Sequence, residues 1–380
     1  MQQLRSLTLK AITLTIALAF TGISSVSASN PQHGEEHEVT EEHHDAHAHE
    51  AEKAEFNAKD MILHHIQDAH DWHFFDIPQG DGTSKPVSLP LPVILIYNGQ
   101  FDVFLSSEFH HGHSPVTRGD VTYVLHHNEI YVANEHGELD LDEAHHATNE
   151  KPLDFSITKN VTSMLITMVI LFLLFSTAAK SYKKNNGVPK GIAGFLEPLI
   201  LFVRDDIAKP NIGEKKYKRY MPYLLTVFFF IWINNLFGLI PVLAPNLTGN
   251  IAVTLVLALM TLLITYFSGN KDYWGHIFWM PGVPTPIRFI LAPIELIGTL
   301  TKPFALMVRL FANITAGHIL ILSLVSIIFV LKSVAMSGLS IPFMVFMNTL
   351  ELLVAALQAY IFTLLSALFI GMAVEEHDHH

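Results

Sequence analysis

The sequence specifies an all-α polytopic membrane protein. About five membrane helices and a surface helix are expected, the last two spans long and steeply tilted, behind a small β-containing N-terminal region. Three observations predict this. Half of the 380 residues are hydrophobic and only 15% are charged, against roughly 25% charged in an ordinary soluble domain. Uncharged runs long enough to cross a hydrocarbon core recur after residue 160. The net charge of −12 is unevenly divided. Residues 1–28 hold Arg5, Lys10 and no acid, residues 29–155 hold 25 acids and 5 bases, and residues 156–380 hold 10 acids and 16 bases. Cysteine is absent, which excludes disulfides, thiol nucleophiles, zinc-thiolate and iron–sulfur sites.

Residues 1–28 have the layout of a signal peptide: a basic start, an apolar run from Ala11 to Ile23, and the small residues Val26, Ser27 and Ala28 at the cleavage position. An uncleaved anchor helix is the alternative. Either way, Ser29 onward is expected outside the plasma membrane, in a bacterial periplasm. Residues 29–155 form an acidic, histidine-rich periplasmic region holding 18 of the 23 histidines. To about Glu55 the composition buries too little apolar surface to offset chain entropy, so a solvated arm is expected. His43, His44, His47 and His49 can seize zinc or copper weakly, but a floppy tract lacks the rigid support of a defined site. No metal and no cofactor is therefore expected. Beyond the arm, Val87–Tyr97 and Phe101–Leu105 flank Asn98-Gly99, and Val121–Leu125 and Glu129–Ala133 flank His127-Asn128. Both read as hairpins in a small sheet starting at about residue 87.

Residues 156–375 are expected to form the membrane domain, and 376–380 a cytoplasmic tail. Residues 160–179 give 20 uncharged positions followed by Lys180, Lys183, Lys184 and Lys190, which places that side in the cytoplasm. Gly191–Ile207 is apolar on one side and carries Glu197, Arg204 and Asp205, as a surface helix does. Residues 220–270 contain no charge and break at Pro241–Asn250, giving two spans and a periplasmic turn. A Trp- and Pro-rich cytoplasmic loop follows, between Lys271 and Arg288. Phe289–Leu331 and Ser340–Val374 are 43 and 35 residues long, the latter opened by a Ser340 cap and Pro342 in the first turn. Both exceed an upright span and must tilt, kink or leave the bilayer.

Glu295, Lys302, Arg309, His318 and Glu351 all lie in these two apolar helices. An ionisable group at membrane depth costs several kcal/mol and marks function by default. Spacing by seven puts Glu295, Lys302 and Arg309 within about 40° of one stripe, which Asn313 joins. His318, nine residues beyond Arg309, falls on the opposite face. Glu351 and Gln358 are again seven apart and share a face. Arg309 keeps its charge at any biological pH and suits a fixed counter-charge. His318 is able to load and release protons, and Glu351 to exchange them with it.

The stretch KPFALMVRLFANITAGHI from Lys302 to Ile319 resembles the signature of the a subunit of F-type ATP synthases. ELLVAALQAYIFTLLSALFI from Glu351 to Ile370 resembles that family's final helix, and Asn235–Pro241 its NxxGLxP turn. The resemblance covers roughly residues 155–375. It implies a non-catalytic, proton-translocating stator in a bacterial inner membrane. Such a subunit lies against a c-subunit ring, with the b-subunit stator stalk, the soluble catalytic ATPase head and the lipid bilayer as partners, and no nucleic acid. Arg309 would face the ring carboxylate and Gln358 would face Arg309. Asn313, His318, Glu351 and Gln358 would line or gate one half-channel, with Glu295 on the other. Some family members carry an acid where His318 stands and a histidine where Glu351 stands, a swap that implies direct interaction of the pair. A secondary cation/proton antiporter would also use midmembrane charges, but it calls for an internal repeat, and the sequence shows none. No phosphate-binding GxxxxGK[ST] loop occurs.

Overall fold

The computed structural model describes residues 66–78, 84–134, 136–142, 146–240, 245–280, 283–331 and 334–375. The leader, the acidic arm with its histidine cluster and the C-terminal tail lie outside these residues. The N-terminal domain is built from β1 (Asp71–Pro78), β2 (Ser84–Pro90), β3 (Pro92–Tyr97), β4 (Gln100–Leu105), β5 (Val116–Arg118), β6 (Val121–His126), β7 (Glu129–Val132) and β8 (Leu153–Asp154). These make three small antiparallel sheets with strand orders β1-β2, β4-β3-β8 and β5-β6-β7. Both expected hairpin turns form. Asn98 and Gly99 have φ of 50° and 82°, and His127 and Asn128 have φ of 48° and 65°. Two successive left-handed residues match the twist of the flanking strands.

The strand expected over Val87–Tyr97 is two strands in different sheets. Pro90 and Pro92 flank Leu91 and supply no N–H to a continuous ladder. Leu91 instead pairs with Ser106, whose hydroxyl accepts the Leu91 N–H at 3.0 Å and whose own N–H donates to the Leu91 carbonyl at 2.9 Å. β1, which the sequence reading did not foresee, shifts register between His73 and Phe75, so its alternation is broken. The core of the domain joins Val93, Leu95, Phe104, Phe109, Val116, Tyr123 and Ile130. Within it the Tyr123 hydroxyl donates to Asp102 at 2.8 Å, and Gln100 donates to the other Asp102 oxygen at 3.0 Å.

The remaining chain is helical: α1 (Lys159–Lys184), α2 (Ile192–Phe202), α3 (Lys209–Ile212), α4 (Tyr217–Gly238), α5 (Ile251–Ser268), α6 (Lys271–Phe278), α7 (Thr285–Leu331) and α8 (Val334–Val374). Among the described residues five helices are long and apolar enough to span a membrane: α1, α4, α5, α7 and α8. Between α2 and α3, Val203–Ala208 forms a π-helix in which the Lys209 N–H reaches back five residues to the Arg204 carbonyl. The wider turn gives room to Pro210, whose ring would crowd an ordinary helical turn. The surface helix is thus longer than expected, and Val203, Ile207 and Ala208 are fully buried.

α8 begins at Val334, so Ser340 and Pro342 lie inside the helix and do not open it. In an apolar medium the backbone has no partner but its own helix, and continuing through one proline costs less than fraying a turn. α8 packs on α4, α5 and α7. Its C-terminal carbonyls are held by three donors. Lys216 Nζ meets Val374 O at 2.7 Å, the Asn270 side chain meets the same oxygen at 2.9 Å, and the Asn270 N–H meets Ala373 O at 2.9 Å. The N-terminal domain adjoins the opposite end of the bundle, where Asp68 accepts from Thr158 and Asn160 at the start of α1.

Tyr123→Phe removes the donor that meets Asp102 inside the N-terminal core. It should destabilise the domain by about 1–3 kcal/mol, read as faster hydrogen exchange in β4 and β6 of the full chain. Unchanged exchange would show that the Gln100 bond alone satisfies Asp102.

Candidate functional site

The site is organised by an apolar seam. Leu306, Leu310 and Ile314 recur every four residues on α7 and are almost wholly buried, in the same cluster as Ala359 and Phe362 of α8. At 100° per residue this seam leaves Arg309 on one flank of α7 and His318 on the other. Arg309 is exposed, as are Ala305, Ala312, Asn313 and Ala316 around it. Among the described residues it makes no hydrogen bond or ion pair. Its immediate surroundings are small side chains, so a neighbouring helix is able to approach it closely.

His318 and Glu351 lie inside the bundle. A Cβ placed on Gly238 of α4 would sit 3.1 Å from His318 Nε2 and 3.2 Å from the Pro245 carbonyl. One placed on Gly317 would sit 2.7 Å from Glu351 Oε1. Each ionisable group is thus seated against a glycine that leaves room for it. Glu351 is 8% exposed, and its Oε2 has no hydrogen-bond partner. The direct His318–Glu351 pairing expected from the sequence is not made. His318 reaches across to α4, while Glu351 turns towards the α7 backbone at Gly317.

Gln358 is likewise buried, at 3% exposure, and no hydrogen bond joins it to Arg309 among the described residues. Gln358 is buried in α8, whereas Arg309 is exposed on α7. Next to the His318 group, Asn235 donates to the Ala355 carbonyl at 3.2 Å and accepts from Thr248 at 2.6 Å. Asn234 accepts from Ser163 at 3.3 Å and Thr167 at 3.0 Å. The sequence reading passed over Ser163, Thr167, Asn234 and Thr248. The available signal was the four-residue spacing of Ser163 and Thr167 on one helical face, and paired asparagines in an apolar helix.

Glu295 and Lys302 lie towards the other end of α7. Lys302 lines a small cavity with Thr265, Tyr266, Tyr273 and Thr299, and Tyr266 and Thr299 share a hydrogen bond of 2.8 Å. Burial first, then Tyr266 and the Glu295 charge, push the Tyr273 hydroxyl up to about 12. Glu295 and Lys302 therefore face α5 and α6, and only Arg309 and Asn313 of the expected stripe lie on the open flank. A seven-residue repeat drifts by about 20° per heptad on a straight helix, and Pro303 supplies no N–H to the Thr299 carbonyl one turn earlier. The 23 residues from Glu295 to His318 correspond to about 35 Å along the axis. The helix thus carries two separate polar groups with Arg309 between them.

Such an arrangement defines a multi-pass membrane protein with ionisable groups at two depths and a permanent cation on its open flank. A family profile described as ATP synthase A chain matches residues 161–371, and a second, described as Domain of unknown function (DUF8433), matches residues 61–155. "ATP synthase subunit a 2" of Chlorobaculum tepidum is 50% identical over 235 residues, covering 60% of this chain and 66% of that protein. "ATP synthase subunit a" of Chloroherpeton thalassium is 50% identical over 231 residues, with 60% and 69% covered. The protein of that name from Pelodictyon phaeoclathratiforme is 44% identical over 283 residues, with 71% and 81% covered. The chain belongs to the ATP synthase A chain family. In the first of these alignments it spans about two thirds of the relative's length.

A buried carboxylate that no protein donor meets at one oxygen is a cost to folding even where water reaches it. Glu351→Gln should raise the stability of the detergent-solubilised chain by about 1 kcal/mol, seen as a higher thermal midpoint. A lower midpoint would show that the carboxylate holds α7 and α8 together.

Proposed function

We propose that this chain is the proton-translocating stator subunit of an F-type ATP synthase membrane sector. It is non-catalytic in itself, lies against a ring of c subunits, and couples proton flow to ring rotation through two offset half-paths. The observation that supports this best is the division of charges on α7. Arg309 sits exposed among alanines, His318 lies behind the apolar seam, and Glu295 with Lys302 occupies a separate polar group. Family membership supports the same reading.

The chemistry follows from the residue types. A proton arriving on the periplasmic side reaches the His318 and Glu351 region and passes to a ring carboxylate, which then enters lipid uncharged. After nearly a full turn the carboxylate meets the second half-path on the Glu295 side, loses its proton towards the cytoplasm, and is drawn to Arg309. Arg309 cannot deprotonate, so it attracts the ionised carboxylate and blocks direct proton passage between the paths. Asn313 beside Arg309, and Gln358 along α8, add polar lining without titrating.

If the five candidate helices among the described residues all cross the membrane, the N-terminal domain and Val374 lie on opposite sides. The lysines after α1 support a cytoplasmic Val374 side in a bacterial inner-membrane protein. In this reading residues 1–28 are a cleaved leader, 29–155 a periplasmic region and 156–375 the membrane domain, with the b-subunit stalk and the catalytic head as further partners.

Arg309→Ala should abolish ATP-driven acidification of membrane vesicles while the complex still assembles, and Arg309→Lys should be strongly impaired. Coupled pumping at the unmodified rate in Arg309→Ala would overturn the assignment.

A further inference from the structure

We propose that the N-terminal domain roofs the mouth of the periplasmic half-path, and that Asp68 is the proton-carrying group at that mouth. This rests on the proton-translocating reading of the membrane domain and adds a role for a region that the reading leaves without one.

The junction is built from both parts of the chain. Asp68 Oδ2 accepts from the Thr158 hydroxyl at 2.8 Å and Oδ1 from the Asn160 N–H at 3.0 Å, while the Lys159 N–H donates to the Ala69 carbonyl at 2.9 Å. Asn246, in the turn that follows α4, donates to the Ile66 carbonyl at 3.3 Å. The segment 66–70 therefore touches the start of α1 and the turn whose Pro245 carbonyl adjoins Gly238 and His318. The Lys159 ammonium lies close enough to Asp68 to act on its carboxyl.

A second, independent observation points to water at this seam. Asn160 Oδ1, Asn246 Oδ1 and His70 Nδ1 belong to side chains no more than 5% exposed, and none has a hydrogen-bond partner, nor does the buried Thr162 Oγ1. Glu351 Oε2, further inside, is in the same state. Buried polar atoms are rarely left unpaired, and ordered water is the usual partner where the protein supplies none. One such atom is a minor defect. Those on His70, Asn160 and Asn246 at the junction, with Glu351 further inside, carry the proposal of a hydrated route.

Asp68 is the acid at the head of that route. Among the described residues the charged and titratable groups around it are Lys159, His70, Asp71 and Asp154. His70 bonds Asp154 at 2.7 Å, and Asp71 bonds His111 at 3.2 Å. Burial pushes the Asp68 carboxyl above the usual range, against the lowering influence of the Asn160 amide, the Thr158 hydroxyl and the Lys159 charge. A carboxyl so placed takes a proton from external water and returns it to water held at Asn160 and Asn246. The proton count is unchanged and no co-reactant is needed. Lys159, fixed beside the route, disfavours metal cations there, whereas a proton passes by exchange along water.

The test uses the whole complex in membrane vesicles, with proton conductance measured at fixed membrane potential while the pH on the periplasmic side is varied. Asp68→Asn keeps the shape and the Asn160 contact but cannot carry a proton. It should lower conductance at least about tenfold at alkaline pH, where protons are scarce, and much less at acid pH. Asp68→Glu should restore most of the rate. Thr158→Ala, which removes one contact of the carboxyl together with the hydroxyl that caps α1 at the Val161 N–H but leaves the carboxyl itself, should conduct normally. If Asp68→Asn conducts normally at every pH while Arg309→Ala and His318→Gln are impaired, the role of Asp68 is overturned and the membrane reading stands. If neither Arg309→Ala nor His318→Gln is impaired, the membrane reading itself fails. If Asp68→Asn shows a pH-independent loss that Thr158→Ala reproduces, the carboxyl only caps α1 and the proposal is wrong.

Discussion

The packing of α7 on α8 along an apolar seam decides which flanks of α7 Arg309 and His318 occupy. Leu306, Leu310 and Ile314 meet the cluster that contains Ala359 and Phe362, and because lipid tails are as apolar as leucine, this seam is held by close van der Waals packing. A polar group on that line would forfeit this and add a desolvation penalty, so ionisable residues are confined to the flanks. Because the two flanks are about half a turn apart, a permanent cation and a titratable imidazole on one helix are held on opposite sides without either touching the other.

The same constraint explains why small residues recur beside the charges. Gly238 and Gly317 seat His318 and Glu351 inside a crowded interior, whereas Ala305, Ala312 and Ala316 open the ground around Arg309 outside it. The inner groups are surrounded by Asn, Ser and Thr side chains whose hydrogen bonds are mostly made within the protein. Among the described residues, the unpartnered atoms of Asn160 and Asn246 lie at the end covered by the N-terminal domain, and that of Glu351 further inside. That domain carries its own compact core, yet its first segment is hydrogen-bonded into the start of α1, so the two folds share a boundary.

Much of this was legible in the sequence because its period is simple. Charge-free runs gave the spans, seven- and nine-residue spacings gave the opposed placement of Arg309 and His318, and Asn98-Gly99 and His127-Asn128 gave the two hairpin turns. What was not legible depends on geometry beyond one helix. Lys302 shares a heptad position with Arg309, yet faces α5 and α6. Gln358 and Arg309 carry the expected spacing in separate helices, but nothing in either helix states which flank the other presents. β1 was hidden by its bulge and its polar residues, and the break at Leu91 by a continuous run of strand-forming residues. Asp68 read as one more acid in an acidic tract until its contacts with Thr158 and Asn160 set it apart.

The central claim is that the Arg309 flank of α7 faces a partner helix while the Leu306–Ile314 line faces inward. The absence of native cysteine in this chain makes disulfide cross-linking a direct test. Single cysteines at Ala312 and at Ile314 would be combined with a cysteine scan along the proposed ring subunit in intact membranes. Ala312→Cys should cross-link to several ring positions under mild oxidation, and Ile314→Cys to none. Cross-linking through Ile314→Cys but not through Ala312→Cys would contradict the account.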